Sequence, residues 1–577
     1  MKRIILILTL PVLMLAFRGE EPGEIVYPKN YFRSPVDHTI LLSGTFGELR
    51  PNHFHAGIDI KSSQGVPGNP LYATAGGYIA HIKVESGGYG HSLYINHPNG
   101  YTSLYAHLNN YSDEIDAYVK EQQYTQKSFE VDLIPPKDKF PVTQGQIVAQ
   151  MGNTGASNGA HLHFEIRDTK TQNPINPLLF GFNVTDNVAP KMHALKVYSI
   201  DGKRKEIDAR TFATYQANGN YRLKNDTLTI DAWHAGFGLK VYDHFDRVSN
   251  WNGIYALAIY QNDSLIYDFD LERFSFGETR YINAHCDYVE RVTRNSYFNR
   301  CYSLPGNKLS IYKHQVNHGV VNLYKGKPSK ITMVASDVAG NESKLEFWVK
   351  RGDIAAAKFI SEEPYNYLLP HDEGNMIQTE GLYLHLPQGT LYEDFYMKYE
   401  VTPDRSNGYY SHVHHLHDST TPVHEYFNIG IRPTVSIPAG LKSKVFIAYC
   451  AGKTTMNCGG FWKDGFLHTK VRAFGDYCIM ADEVAPTVKP VTFTYNMREY
   501  SKMKFRIGDN ISTAPNVEGL TFQACVDGEW ILMEYDKKTA TLTHTFDEHT
   551  GKGEHDLKLV VKDAVGNETV FEKKFVR

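Results

Sequence analysis

The residues best suited to chemistry in this chain sit in two short motifs, His55-Ala-Gly-Ile-Asp59 and His161-Leu-His163-Phe-Glu165, with Tyr105-Ala-His107-Leu108 between them. Side chains alternate between the faces of a strand, so His161 and His163 project the same way and can aim two imidazoles into one site. Zinc accepts imidazole nitrogen and carboxylate oxygen, and its catalytic sites usually combine three protein ligands with a water. His55, Asp59 and one histidine of the His161/His163 pair would fill those three places. A metal ion of this kind lowers the pKa of its water from ~15.7 to ~7. An imidazole left over, with an ordinary pKa of ~6.5, suits acid–base work on that water and on a leaving group.

Neither motif is specific alone in a chain with 26 histidines. Order and context add the specificity. The first motif leads into Leu71-Tyr-Ala-Thr-Ala-Gly-Gly-Tyr-Ile79, then Gly87-Gly-Tyr-Gly90 and Leu93-Tyr-Ile-Asn-His97. Gly145-Gln-Ile-Val-Ala149 and Gly152-Asn-Thr-Gly155 precede the second motif, and Asn173-Pro-Ile-Asn-Pro177 closes the set.

This ordered set, from about Gly44 to Phe180, resembles the LytM/lysostaphin-type zinc endopeptidases of peptidoglycan. The resemblance implies a small antiparallel β-sheet peptidase domain with an open groove. It implies that His55, Asp59 and His163 are the zinc (Zn2+) ligands, and that His107 and His161 are the catalytic histidines beside the metal. It gives Glu165 no direct role; orientation of a ligand or plain strand packing are both open. Some relatives have lost one or more of these residues and act as non-catalytic regulators of other wall hydrolases. All five positions are occupied here, which favours an enzyme cutting peptidoglycan peptides; the alternatives are a non-catalytic wall-binding regulator or a surface scaffold that uses a peptidase-like domain. The bond cut is not legible, because groove loops set specificity.

Composition agrees with export. Met1 to Arg3 is basic and Ile4 to Phe17 is apolar. That run is shorter than the ~20 residues a membrane span needs, so residues 1–19 read as a signal peptide. The expected location is periplasmic or cell-envelope, and no later stretch could span a membrane. A net charge of −4 with mixed signs gives no nucleic-acid footprint. The six cysteines lie outside the peptidase region and form no C-x-x-C pair, against a thiolate zinc site. Cys286–Cys301 and Cys450–Cys458 are the first disulfide pairs to test.

The rest of the chain reads as mostly β. Asp186-Asn-Val-Ala-Pro190 recurs almost word for word as Asp482-Glu-Val-Ala-Pro486. Each has a second phrase downstream, Asp337-Val-Ala-Gly-Asn-Glu-Ser343 and Asp563-Ala-Val-Gly-Asn-Glu-Thr569. This points to a duplicated Ig-like β-sandwich, the first copy carrying an insertion. The expected organisation is peptidase 20–183, Ig-like domain with insertion 184–351, a β domain 352–481 and a second Ig-like domain 482–577. The three β domains are expected to position the peptidase on the wall or on an envelope protein partner. The histidines of Ser411 to Asp418, with His424, fall on opposite strand faces and read as a surface or strand-edge cluster rather than a second metal site. Asp243, Asp246, Asn250 and Asn252 lack the spacing of a calcium loop and read as a turn.

Asn110 to Lys139 is far longer than a typical ~4–6-residue connection. Its first half, from Ser112, patterns as a helix with Ile115, Tyr118 and Val119 on one stripe, and Pro135-Pro136 ends it. It leaves the fold just after His107. It should either wall the groove or pack on the barrel edge and dock a C-terminal domain. A chain ending near Phe180 is expected to keep cleavage of small muropeptides.

The ligand assignment predicts that His55→Ala, Asp59→Ala and His163→Ala each lose zinc and activity together, because a three-ligand site cannot spare one. Metal analysis on the folded variants checks it, and full zinc occupancy in all three would remove the assignment.

Overall fold

A computed structural model describes residues 26–356, 364–403, 408–452 and 454–577. The expected signal peptide lies outside the described residues. Strands dominate, and the chain is a mostly β protein. Among the described residues no helix is long and apolar enough to cross a membrane.

The N-terminal part is built on a largely antiparallel nine-stranded sheet. Its central strand is His161–Asp168, flanked by Ile58–Lys61 on one side and Tyr101–Ala106 on the other. Leu162, Phe164 and Ile166 are fully buried on one face of that strand. The opposite face carries His161, His163 and Glu165, as the period of two requires. A three-stranded sheet of Pro70–Tyr72, Ile147–Met151 and Leu108–Tyr111 packs across the apolar side.

Residues 191–351 form a twelve-stranded sheet around one apolar core. That core also contains Phe46, Phe54 and Ala56, which belong in sequence to the peptidase region. Phe46 stacks on Phe274 with ring centroids 4.9 Å apart. The segment that lengthens the first copy holds the short helices Ile282–His285 and Tyr288–Arg294. It backs the hairpin Leu49–Phe54: Thr279 Oγ1 accepts from the Phe54 N–H at 2.8 Å, and Asn283 Nδ2 donates to Asn52 Oδ1 at 3.1 Å. Residues 375–481 form a five-stranded sheet and five strands of a six-stranded one, whose sixth strand is Ser512–Thr513, over a core that Ala514 also joins; residues 487–576 form mainly two four-stranded sheets.

The repeated phrases interlock in the same way in both places. Asn341 donates to Asp337 Oδ2 at 2.8 Å, and Ser343 donates to the Pro190 carbonyl at 2.6 Å. Asn567 donates to Asp563 Oδ2 at 2.7 Å, and Thr569 donates to the Pro486 carbonyl at 2.5 Å. Cys450 lies beside Cys478 on the adjoining strand, with sulfurs 3.6 Å apart, rather than facing Cys458.

The helix read after Ser112 spans Asp113–Gln126, with Ile115, Val119 and Gln123 buried. Its outer side docks the C-terminal part of the chain. Lys120 reaches Asp547 and Glu548 at 3.1 and 2.9 Å, and Tyr124 donates to Asp547 Oδ2 at 2.6 Å while stacking on His549. Of the two uses open for this insertion, docking is the one the structure displays.

The shared core changes the expectation for a chain cut at Phe180. Phe46 and Phe54 would lose their cover, each worth roughly 1.5–3 kcal/mol of burial. A chain ending at 180 is therefore expected to aggregate or melt well below one ending at 356. Thermal unfolding of the two purified chains checks this; equal melting temperatures would count against a shared core.

Candidate metal centre

The register of the sheet assembles the site. His163 lies directly opposite Asp59 on one neighbouring strand and opposite Ala106 on the other, so Asp59 and His107 flank it. His55 arrives from the hairpin just before Ile58–Lys61. His107 takes a left-handed backbone (φ 60°) as the chain leaves its strand. The glycines permit close backbone approach: Gly90 and Gly155 both have positive φ, and a Cβ on either would lie within 2.6 Å of the other's backbone. Gly44 does the same for side chains, since a Cβ there would sit 2.5 Å from Arg50 Nη2 and Asp59 Oδ2.

His55 Nε2, His163 Nδ1 and Asp59 Oδ1 form a triangle with sides of 2.9, 3.0 and 3.0 Å. All three residues are buried. Their other atoms are already engaged. His55 Nδ1–H donates to the Thr45 carbonyl at 2.7 Å, and His163 Nε2–H donates to Glu165 Oε1 at 2.9 Å. Arg50 Nη2 donates to Asp59 Oδ2 at 2.8 Å. These partners select the ring tautomers, leaving a lone pair on each facing nitrogen. Two lone pairs and a carboxylate oxygen in contact repel one another unless a cation or a proton lies between them. Donors ~2.0–2.2 Å from one ion stand roughly 3 Å apart, so the set fits a tetrahedral metal ion with a position to spare.

The electrostatics agree. Burial pushes His55 down to about 4 despite Asp59. Burial acts the same way on His163, but hydrogen bonds to Asp59 and Glu165 overcome it and raise that ring to about 9. Burial opposes ionisation of Asp59, but His55, His161 and His163 hold it well below the usual carboxylate range. Glu165 is likewise opposed by burial but brought to about 2 by Arg167 and His163. The pocket thus favours positive charge at the point where a divalent ion would compete with a proton.

His107 and His161 stand beside the triangle. Their ring centroids are 4.8 Å apart, and His161 Nε2 is 3.5 Å from Asp59 Oδ1. His107 Nδ1–H donates to the Thr154 carbonyl at 2.9 Å, and His161 Nδ1–H to the Gly159 carbonyl at 2.9 Å. Each ring thus turns its Nε2 away from its backbone anchor, that of His161 toward Asp59. Burial, with His163 and His161 adding to it, lowers His107 to about 3 and keeps it a neutral acceptor.

All five residues singled out from the sequence meet here, and Glu165 touches His163. Arg50, Thr45, Tyr89 and Arg167 were not singled out. Tyr89 and Arg167 both bind Glu165, at 2.5 and 2.7 Å. Arg167 could have been found by extending the alternation of the second motif by one step; Arg50 had no such signal. Elsewhere, the expected surface or strand-edge cluster divides: His415 meets Asp476, but His414 and, outside that run, His424 are buried against Tyr399 and Tyr392.

A family model described as peptidase family M23 matches residues 53–128 and 131–177, and one described as a Zu5-like domain matches residues 366–482. Lipoprotein NlpD of Yersinia enterocolitica is 35% identical over 115 residues, which are 20% of this chain and 94% of that protein. The DD-carboxypeptidase/endopeptidase Mpg of Neisseria meningitidis is 31% identical over 165 residues, 28% of this chain and 31% of the relative. The murein hydrolase activator NlpD of Escherichia coli is 33% identical over 152 residues, covering 26% and 32%. The chain belongs to peptidase family M23. It spans about a third of the length of the first curated relatives it matches.

Glu165→Gln keeps the shape but weakens the acceptor that orients His163. It is expected to lower metal affinity ~10–100-fold. Competition against a chelating dye measures this, and an unchanged affinity would reduce Glu165 to packing.

Proposed function

We propose that this chain is an exported zinc metallo-endopeptidase that hydrolyses peptide bonds in peptidoglycan, working in the cell envelope. The observation that carries the reading is the arrangement of His55, Asp59 and His163 around one point, with two further imidazoles, each anchored through Nδ1, beside it. In this reading His55, Asp59 and His163 hold the ion. When bound, zinc supplies a Lewis acid that activates water near neutral pH and polarises the scissile carbonyl.

The chain's own groups handle protons and position. His107, neutral and anchored through Nδ1 to Thr154, offers Nε2 as an acceptor for the proton of the attacking water. His161, anchored to Gly159, stands beside His107 with ring centroids 4.8 Å apart and its Nε2 toward Asp59. Between them the two rings take that proton and deliver it to the departing amine nitrogen. Glu165 keeps the proton of His163 on Nε2, so that Nδ1 stays a ligand atom. Arg50 occupies the second oxygen of Asp59 and leaves Oδ1 to the ion. The β units that follow carry the peptidase on the wall or on an envelope partner.

The E. coli relative's description as a murein hydrolase activator supports a second reading, a wall-binding regulator that retains the fold. Activity separates the two. His107→Ala and His161→Ala are expected to keep bound zinc and lose ~10²–10⁴-fold in turnover of defined muropeptides. Mass analysis of the products also names the bond cut. A zinc-loaded wild type that cleaves no muropeptide would favour the regulator.

A further inference from the structure

The most demanding polar cluster outside the peptidase site lies where the chain passes into the first of the two repeated units. Asp186 is on the linker, Asp243 follows the strand His234–Tyr242, and Asp337 follows Ser329–Ser336. Each offers a carboxylate oxygen within 4.8 Å of the others. Asp243 is 1% exposed and Asp337 4%. No basic side chain contributes to the charge around Asp243: burial, Asp186 and Asp337 all push its carboxyl up, to about 8.

A second observation points to a ligand. Asn252 is fully buried, and its Oδ1 has no hydrogen-bond partner. Asn252 pairs with Asp243 through two backbone hydrogen bonds of 2.9 Å, so the two side chains share a face. Asp243 Oδ1 is likewise without a partner. The Asn252 amide Nδ2 already donates to the Asn250 carbonyl, which leaves the carbonyl end free. Two unsatisfied oxygens at this depth each carry a full desolvation penalty that a ligand would relieve. A cavity of about 10 Å³ lies against Asp243 and Asp337, lined also by Thr45 and by Gly253, the residue after Asn252. That is about the size of one water or one ion. The trio also recurs: Asp482, Asp509 and Asp563 gather at the matching phrases of the second unit, and Asp509 Oδ1 is again unpartnered.

We propose that Asp186, Asp243 and Asp337, with the side-chain carbonyl of Asn252, form a calcium site that fixes the linker to the first repeated unit. The donors are all oxygen, three of them anionic, which suits a hard cation and not zinc. They come from a linker and the ends of two strands, separated by about the span that Ca–O bonds of ~2.3–2.6 Å bridge. The ion ties the linker to the sheet ends, where Asn341 already donates to the Asp186 carbonyl at 3.3 Å. It also reaches the peptidase. Gly253, next to Asn252, binds Thr45 Oγ1 at 3.0 Å, and the Thr45 carbonyl holds His55. Calcium here steadies both the linker and one support of the metal centre.

The test is calcium uptake by the full-length, zinc-loaded chain after removal of calcium, read by equilibrium dialysis and by thermal unfolding. Wild type is expected to bind Ca2+ with a dissociation constant of ~10⁻⁴–10⁻³ M and to melt higher as calcium is added. Asp243→Asn and Asp337→Asn are expected to bind one calcium fewer per chain and to lose that rise in melting temperature, with zinc content unchanged. Asn252→Ala removes no charge and covers the case in which an aspartate variant does not fold; it should bind calcium more weakly. No uptake by wild type at about 10 mM Ca2+, above the range of such sites, would overturn the proposal. So would identical calcium binding by wild type and these variants.

Discussion

Three acceptor atoms held about 3 Å apart with no proton assigned between them are the constraint on which the peptidase region turns. Left alone, such an arrangement pushes itself apart. It persists because every outward-facing atom of His55, Asp59 and His163 is tied to something rigid: a backbone carbonyl, an arginine, a glutamate. Arg50 and Arg167 balance Asp59 and Glu165 in charge, so the carboxylates stay ionised though buried. Breaking one member of such a buried set leaves an uncompensated charge, which costs far more than the intact pair contributes.

The supports extend well beyond the conventional bounds of a peptidase domain. The hairpin that carries Arg50 and leads to His55 is held from behind by Thr279 and Asn283, and its Phe54, with Phe46 just before it, is buried in the next unit's core. The β regions are therefore part of the scaffold of the site as well as neighbours of it. The polar contacts Thr45–Gly253 and Phe54–Thr279 tie the same hairpin to segments more than 200 positions away.

The site was more legible than its setting. Strand alternation by itself puts His161, His163 and Glu165 on one face. The order of the glycine-rich segments linked them to His55, Asp59 and His107. What could not be read were residues that act across long sequence separations. Arg50 belongs to no motif, and Thr45 contributes a backbone carbonyl, which any residue type supplies. The β-rich character was legible from short alternating runs. The sharing of Phe46 and Phe54 with a distant core was not, because an apolar residue in a hairpin carries no mark of which core it joins. The helix after Ser112 was readable from its stripe, but which of two uses it served depended on Asp547 and His549, far along the chain.

That helix has one more consequence, for the order in which the molecule is completed. Lys120 and Glu548 are 428 positions apart. Contacts of such separation form late, after the segments between them have found their own cores. During synthesis the N-terminal sheet emerges first, but the outer side of its helix stays bare until Asp547, Glu548 and His549 have followed. The C-terminal strands thus act as a keystone. A chain truncated by a stalled ribosome or clipped near its end would leave Tyr124 and Lys120 exposed, a difference that a protease could use to tell finished molecules from unfinished ones.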